Sequence, residues 1–303
     1  MPIVALSPLL ADARREGYAL PYAESWNLES LLAVIDSAEE ACSPIIVGFN
    51  GGFLRHSSRE RPENLAYYAC FRHALEKARV PVSFLLNESD SLDQIREGIE
   101  LGFNAVMPES DGLDIVEYRE LVKAVVRIAK PRSVFVEAQV GVLPVGNGDH
   151  DGHGILTDPE RAAEFAAETG VDALAVSIGN IHILTSGKAS IDLEILRRIR
   201  ERVSIPLVVH GGTSLTPQSL QEVIRLGVTK VNFGTILKQS YLAAIRERIE
   251  EYRKPLSPHL FLGIGGPEDI MTAGRKAVRL EVTKLIEICG SKDRVTNDLS
   301  STV

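Results

Sequence analysis

Short apolar runs and longer amphipathic stretches alternate eight times along this chain, and no other feature restricts its fold as strongly. The runs fall at residues 18–20, 44–47, 82–86, 105–107, 134–136, 173–176, 207–209 and 230–232. Between them lie segments with helical spacing of apolar positions: 28–41, 63–78, 91–101, 113–129, 159–168, 193–202 and 217–226. Asp158-Pro159 and Thr216-Pro217 read as helix starts; Gly102, Gly170 and Gly227 read as helix stops. Strand–helix alternation of this kind implies a parallel sheet buried on both faces. Eight units favour a closed (β/α)8 barrel, the TIM barrel of the α/β class, over an open doubly wound sheet. No Gly-x-Gly-x-x-Gly follows the first run, so a dinucleotide-binding fold lacks its main sign. Two more helical stretches, 237–252 and 267–288, follow as extra C-terminal helices. One domain over 1–290 and a polar tail over 291–303 are expected.

Charge and composition narrow the partners. The 303 residues carry a net charge of −8 with no basic run, which argues against nucleic acid as a partner. No apolar segment approaches the ~20 residues that span a bilayer, so no membrane partner is expected. The start, Met1-Pro2-Ile3-Val4, lacks the charged and apolar regions of a signal peptide. Cys42, Cys70 and Cys289 are scattered, without metal-ligand spacing, and read as the reduced thiols of a cytoplasmic protein.

In a barrel of this type, function sits at the carboxyl ends of the strands. Those ends carry Asn87-Glu88-Ser89-Asp90, Glu137-Ala138-Gln139, Ser177-Ile178-Gly179-Asn180-Ile181-His182, His210-Gly211-Gly212-Thr213 and Asn232-Phe233-Gly234-Thr235. Taken singly, Glu88 is an ordinary solvated carboxylate and His182 an ordinary loop histidine. Taken together, Glu88, His182 and His210 come from three strands and form a donor set for one divalent metal in an open site. The glycine-flanked ends of the last two strands bring backbone N–H groups close to an anion.

The most telling stretch runs from Leu156 to Thr235. It includes Leu156-Thr157-Asp158-Pro159-Glu160, Thr169-Gly170-Val171-Asp172-Ala173-Leu174-Ala175-Val176-Ser177-Ile178-Gly179, Ile205-Pro206-Leu207-Val208-Val209-His210-Gly211-Gly212-Thr213 and Lys230-Val231-Asn232-Phe233-Gly234-Thr235. Together with Asn50-Gly51-Gly52, these resemble the class II, metal-dependent ketose-bisphosphate aldolases, which include fructose-1,6-bisphosphate and tagatose-1,6-bisphosphate aldolases. The resemblance covers about Ile3 to Ser291. It implies a zinc held by three histidines, of which His182 and His210 match two. It also implies a Lewis-acid role for the metal, polarising the carbonyl of a three-carbon donor so that a neighbouring carbon loses a proton. Asn50, Gly179, Gly211, Gly212, Thr213, Asn232, Gly234 and Thr235 fall on its substrate-binding positions. Family members are usually dimers or tetramers, so a homodimer or homotetramer is expected.

The departures from the family are as informative as the matches. The family motif His-x-Asp-His-Gly on the third strand is replaced, so that its Asp becomes Asn87 and its ligand His becomes Glu88. An amide does not titrate in the working range, so Asn87 orients a hydroxyl or carbonyl rather than moving a proton. Glu88 either completes a two-His, one-carboxylate site, suited to Zn²⁺ but also to Mn²⁺ or Fe²⁺, or leaves the metal and acts as the base. Ile183 stands where the family has the glycine after its ligand histidine, and Lys188 comes later than the phosphate-binding Lys. The strand-one loop, which usually carries Asn, reads Pro21-Tyr22-Ala23-Glu24-Ser25-Trp26. The glycine-rich loop 146–154 reads as a mobile lid offering Asp149, His150, Asp151 or His153 as proton donor, Asp149 first. The expected substrate is a small anion, phosphorylated or carboxylated, other than the usual bisphosphate. Three functions fit: an aldolase of altered specificity, a metal-dependent sugar-acid epimerase or isomerase on the same scaffold, and a non-catalytic homologue.

Overall fold

A computed structural model describes residues 2–146 and 154–295. Eight parallel strands close into a barrel in chain order: β1 (Leu20–Glu24), β2 (Ile45–Asn50), β3 (Val82–Ser89), β4 (Ala105–Pro108), β5 (Phe135–Val140), β6 (Ala173–Val176), β7 (Leu207–Val209) and β8 (Val228–Phe233). The seam is β1 against β8, with Tyr22 beside Asn232. The chain returns outside the barrel through α2 (Leu28–Glu40), the short α3 (Gly51–Leu54), α4 (Leu65–Ala69) and α5 (Arg72–Leu75), then α6 (Leu92–Glu100), α7 (Ile115–Ala129), α8 (Pro159–Thr169), α9 (Leu193–Arg202) and α10 (Pro217–Arg225). After β8 come α11 (Thr235–Ile249), the short α12 (Pro258–Phe261) and α13 (Ile270–Cys289). The start signals act as expected: Asp158 and Thr216 accept from Arg161 N and Ser219 N, each followed by proline in the first turn.

Alternate strand residues face either the helices or the barrel interior. The interior is filled by Leu20, Tyr22, Ile46, Leu85, Ala105, Phe135, Ala173, Ala175 and Val208. Leu6, Leu9, Leu10 and Ala13 of α1 (Leu6–Glu16) pack against this group and close the amino-terminal end of the strands. One end of the barrel is therefore an apolar plug, and polar chemistry is left to the other.

The structure moves several boundaries. β1 starts at Leu20, the last residue of the expected run, and continues to Glu24. Tyr18 and Ala19 instead bridge to the barrel, donating to Ala13 O and Cys289 O after α1 ends at the left-handed Gly17. The segment 63–78 forms two short helices, because Phe71 N and His73 N bond three residues back, to Tyr68 O and Cys70 O, and break the helical ladder. α11 begins at Thr235, two residues earlier than expected, directly against the end of β8. α13 packs on α2, where Arg275 pairs with Asp36 at 2.5 Å and Arg279 with Glu40 at 3.1 Å. No helix among the described residues is long and apolar enough to cross a membrane.

Candidate active site

Glu88 sits at the centre of the polar end. It lies where the β3–β4 register shifts, between Leu86 and Ser89, and its φ is +49°. A non-glycine residue in this left-handed region costs about 1 kcal/mol or more, and such bulges re-aim side chains beside active sites. Asn50, at the end of β2, holds one carboxylate oxygen: its Nδ2 donates to Glu88 Oε2 at 2.5 Å while its Oδ1 accepts from Phe53 N. The other oxygen, Oε1, is left facing His210 Nδ1 at 3.4 Å and His182 Nε2 at 3.7 Å. Burial pushes the Glu88 carboxyl up, but the two histidines outweigh it and hold it down at about 2.

His210 is fixed from behind. Its Nε2 lies 2.8 Å from Glu137 Oε1, and Lys230 Nζ donates to the other oxygen of Glu137 at 2.5 Å. Glu137 and Lys230 are both fully buried inside the barrel. Burial alone would neutralise this carboxylate, yet Lys230, followed by His210, holds it below the usual range. Lys230 is lowered by burial, which the Glu137 charge opposes. A carboxylate facing Nε2 favours a proton on that nitrogen, and Nδ1 is the ring atom turned towards Glu88. Asn180 Nδ2 donates to His210 O, and Ser214 Oγ joins the loops after β6 and β7 by accepting from Ile181 N and donating to Gly211 O. Gly211 has φ +63°, and a Cβ there would stand 2.2 Å from Ile181 O, so the close approach of these loops demands glycine.

Glu88, His182 and His210 line a cavity of about 340 Å³ with Tyr22, Glu24, Phe53, Asn87, Ile183, Thr185, Gly211, Thr213, Asn232, Phe233, Gly234, Thr235, Lys238, Gln239 and Leu242. The Tyr22 hydroxyl, Asn87 Oδ1 and Asn232 Oδ1 are buried and find no hydrogen-bond partner among the described residues. Such atoms on a cavity wall are open to a ligand. Glu24, at the end of β1, forms an ion pair with Lys238 of α11.

The structure thus gathers Asn87, Glu88, His182, His210, Gly211, Thr213, Asn232, Gly234 and Thr235 around one cavity. Asn50 acts one step behind, on Glu88. Gly212 is buried outside the lining, against Phe233 and Val231. Gly179 also lies outside it, with φ +101° and a Cβ position 2.3 Å from Ser190 O, which makes it a packing glycine. Lys188 donates to Thr213 O at 2.7 Å and does not line the cavity. Asp149, His150, Asp151 and His153 lie outside the described residues; Gly146, the first residue of that loop, donates to His182 O at 3.0 Å. Ile183 keeps a left-handed backbone, φ +53°, at a position where a β-branched residue is strained by roughly 1–3 kcal/mol. Glu137, Lys230 and Lys238 join the site without a role expected from the sequence. The signal was a charged residue at an inward position of an otherwise apolar strand, and, for Lys238, one helical turn after Thr235.

The donor set suits a divalent cation. Two ligands about 2.0–2.2 Å from one tetrahedral ion stand about 3.3–3.5 Å apart. The Glu88–His210 separation of 3.4 Å has that span, and Glu88–His182, at 3.7 Å, is slightly wider. Among the described residues no three His, Cys, Asp or Glu side chains enclose a common point, so the donors face one carboxylate oxygen rather than a finished cage. The charges agree with a cation: two buried carboxylates, Glu88 and Glu137, stand in this end of the barrel with one buried lysine, which pairs with Glu137. Burial alone would lower the His210 pKa, but Glu137 and Glu88 raise it.

Fold and cavity together define a barrel enzyme with its reactive groups at the strand ends. The chain belongs to the class II fructose-bisphosphate aldolase family, whose model matches residues 4–294. It is an aldolase-type lyase, and members of this family generally use a divalent metal. The structure of the YdjI aldolase from Escherichia coli K12 superposes with a TM-score of 0.79 at 29% identity, covering 97% of this chain and 100% of that one. A candidate fructose-1,6-bisphosphate aldolase from Coccidioides immitis gives 0.80 at 25% identity, covering 96% and 98%. Fructose-bisphosphate aldolase from Campylobacter jejuni gives 0.73 at 21% identity and 95% of each chain, a likeness of fold.

Proposed function

We propose that this protein catalyses metal-assisted, reversible aldol cleavage and condensation of an anionic ketose-type substrate, phosphorylated or carboxylated, with a specificity altered from that of the usual bisphosphate. The observation that carries this reading is the Glu88 carboxylate aimed at both His210 and His182 in a cavity at the strand ends. Glu88, His182 and His210 would hold the cation, Zn²⁺ first by donor type and Mn²⁺ or Fe²⁺ as alternatives. When bound, the cation supplies Lewis-acid polarisation of a carbonyl, which acidifies the carbon beside it.

The remaining roles belong to the chain. Asn50 and the bulge at Glu88 fix the carboxylate, and Glu137 with Lys230 fixes the ring of His210. Asn87 and Asn232 offer buried amide oxygens to substrate hydroxyls. Asn87 cannot exchange protons, so proton transfer falls to another group. Asp149 is the proposed group that takes the hydroxyl proton of the aldehyde half in cleavage and returns it in condensation, and Glu88 is the alternative base. Gly211, Thr213, Gly234 and Thr235 form the wall beside His210. A cytoplasmic homodimer or homotetramer belongs to the same proposal; the free state of all three cysteines fits it.

The test is hydrogen–deuterium exchange at the carbon beside the carbonyl of small hydroxyketones, in the presence of divalent metal and an aldehyde acceptor. Metal-dependent exchange together with carbon–carbon bond formation is expected. Exchange with inversion and no bond formation would convert the reading to an epimerase; no exchange with any donor contradicts it.

A further inference from the structure

We propose that Glu24 excludes phosphate from the end of the cavity beside α11, so that the polarised half of the substrate is a hydroxyketone ending in a free hydroxyl. This rests on the aldol reading above and names the donor class it takes. The loops concerned adjoin His210 directly: Gly211 to Thr213 follow it in the chain, and Gly234 and Thr235 follow Asn232, whose amide lies 2.9 Å from the His210 ring. Whatever binds there is attached to the carbonyl held near His210.

Two open backbone turns and the start of a 15-residue helix would ordinarily make this an anion site. In this chain a carboxylate stands beside that position. The Glu24 side chain is paired with Lys238 in the first turns of α11, and its Oε2 is 3.1 Å from where a Cβ on Gly234 would stand. Thr213 Oγ1 accepts from Ile236 N at 3.2 Å. Leu237 N and Lys238 N both donate to Gly234 O. Lys238 is the one lysine or arginine lining the cavity among the described residues, and Glu24 cancels its charge. The nearby Lys188 is engaged by Thr213 O. A phosphate dianion entering here would meet the Glu24 carboxylate at close range, with Glu88 beyond it, and no free cation among the described residues of the lining. A hydroxyl would instead donate to Glu24. The negative charge of the substrate then belongs to the half that leaves as aldehyde.

The experiment compares the full-length, metal-loaded protein with Glu24→Gln, and with Glu24→Asn should the first variant not fold. Calorimetric titration with inorganic phosphate is expected to be tighter in the variant by about tenfold or more, the effect of removing one carboxylate near a dianion. Deuterium exchange at the donor carbon is expected with dihydroxyacetone in the wild type, shifting towards dihydroxyacetone phosphate in the variant. A structural role for Glu24 would give no gain of phosphate affinity. Equal phosphate affinity in both proteins, or wild-type preference for the phosphorylated donor, overturns the proposal. If neither donor exchanges while the phosphate contrast holds, the aldol reading fails and the exclusion of phosphate by Glu24 stands.

Discussion

Two lysine–glutamate pairs hold this barrel's polar end, and they differ in one respect. Lys230–Glu137 is fully buried between β8 and β5, whereas Lys238–Glu24 lies on the cavity wall, with side-chain exposures of 32% and 11%. The same chemical pair therefore serves two ends. The buried pair cannot be altered without leaving an uncompensated charge in the barrel interior, so it suits a fixed role, that of setting the ring of His210. The wall pair is partly solvated and faces whatever enters. It can change with less effect on folding, which suits a part that sets what the enzyme accepts.

Breaking the buried pair gives the largest expected effect. Lys230→Met removes the lysine from Glu137 and leaves that buried carboxylate with His210 alone, and should lower unfolding free energy by about 3–5 kcal/mol in chemical denaturation. A loss under about 1 kcal/mol would mean that the two pairs are not different in kind. The isosteric Glu137→Gln leaves Lys230 without its carboxylate, so it should lose stability as well and hold His210 less firmly; carboxylates behind ligating histidines typically matter about 10–100-fold in metal affinity. That loss of affinity should show in competition with a metal-binding dye. On the wall, Lys238→Met should cost less, about 1–2 kcal/mol, because the Lys238 end of the pair is partly solvated although Glu24 is nearly buried. A cost as large as that of Lys230→Met would erase the comparison.

The contrast also explains what the sequence made legible. The eight apolar runs fix the barrel because burial on both faces forces continuous apolar strands, and the strand-end rule then brings Glu88, His182 and His210 to one rim. Lys230 is a different matter. It stands inside an apolar run, where its charge reads as a strand edge until Glu137, 93 residues earlier, is seen beside it. Glu24 was hidden by a boundary: a first strand ending at residue 20 leaves it in a loop, whereas β1 runs through it and α11 starts early enough to bring Lys238 opposite. Such pairings depend on barrel closure between β8 and β1, which no local pattern encodes. Ile183 is legible as a substitution, but its left-handed backbone is not, since strain appears only when the surrounding loops dictate the conformation.

The arrangement of Glu88 between two histidines is the premise on which everything else depends, and stoichiometric titration of the metal-depleted protein with Zn²⁺ probes it most directly. One tightly bound equivalent is expected in the wild type and clear weakening in Glu88→Gln, which keeps the shape but removes the charge. Failure of the wild type to bind an equivalent, or identical binding by both proteins, would contradict it.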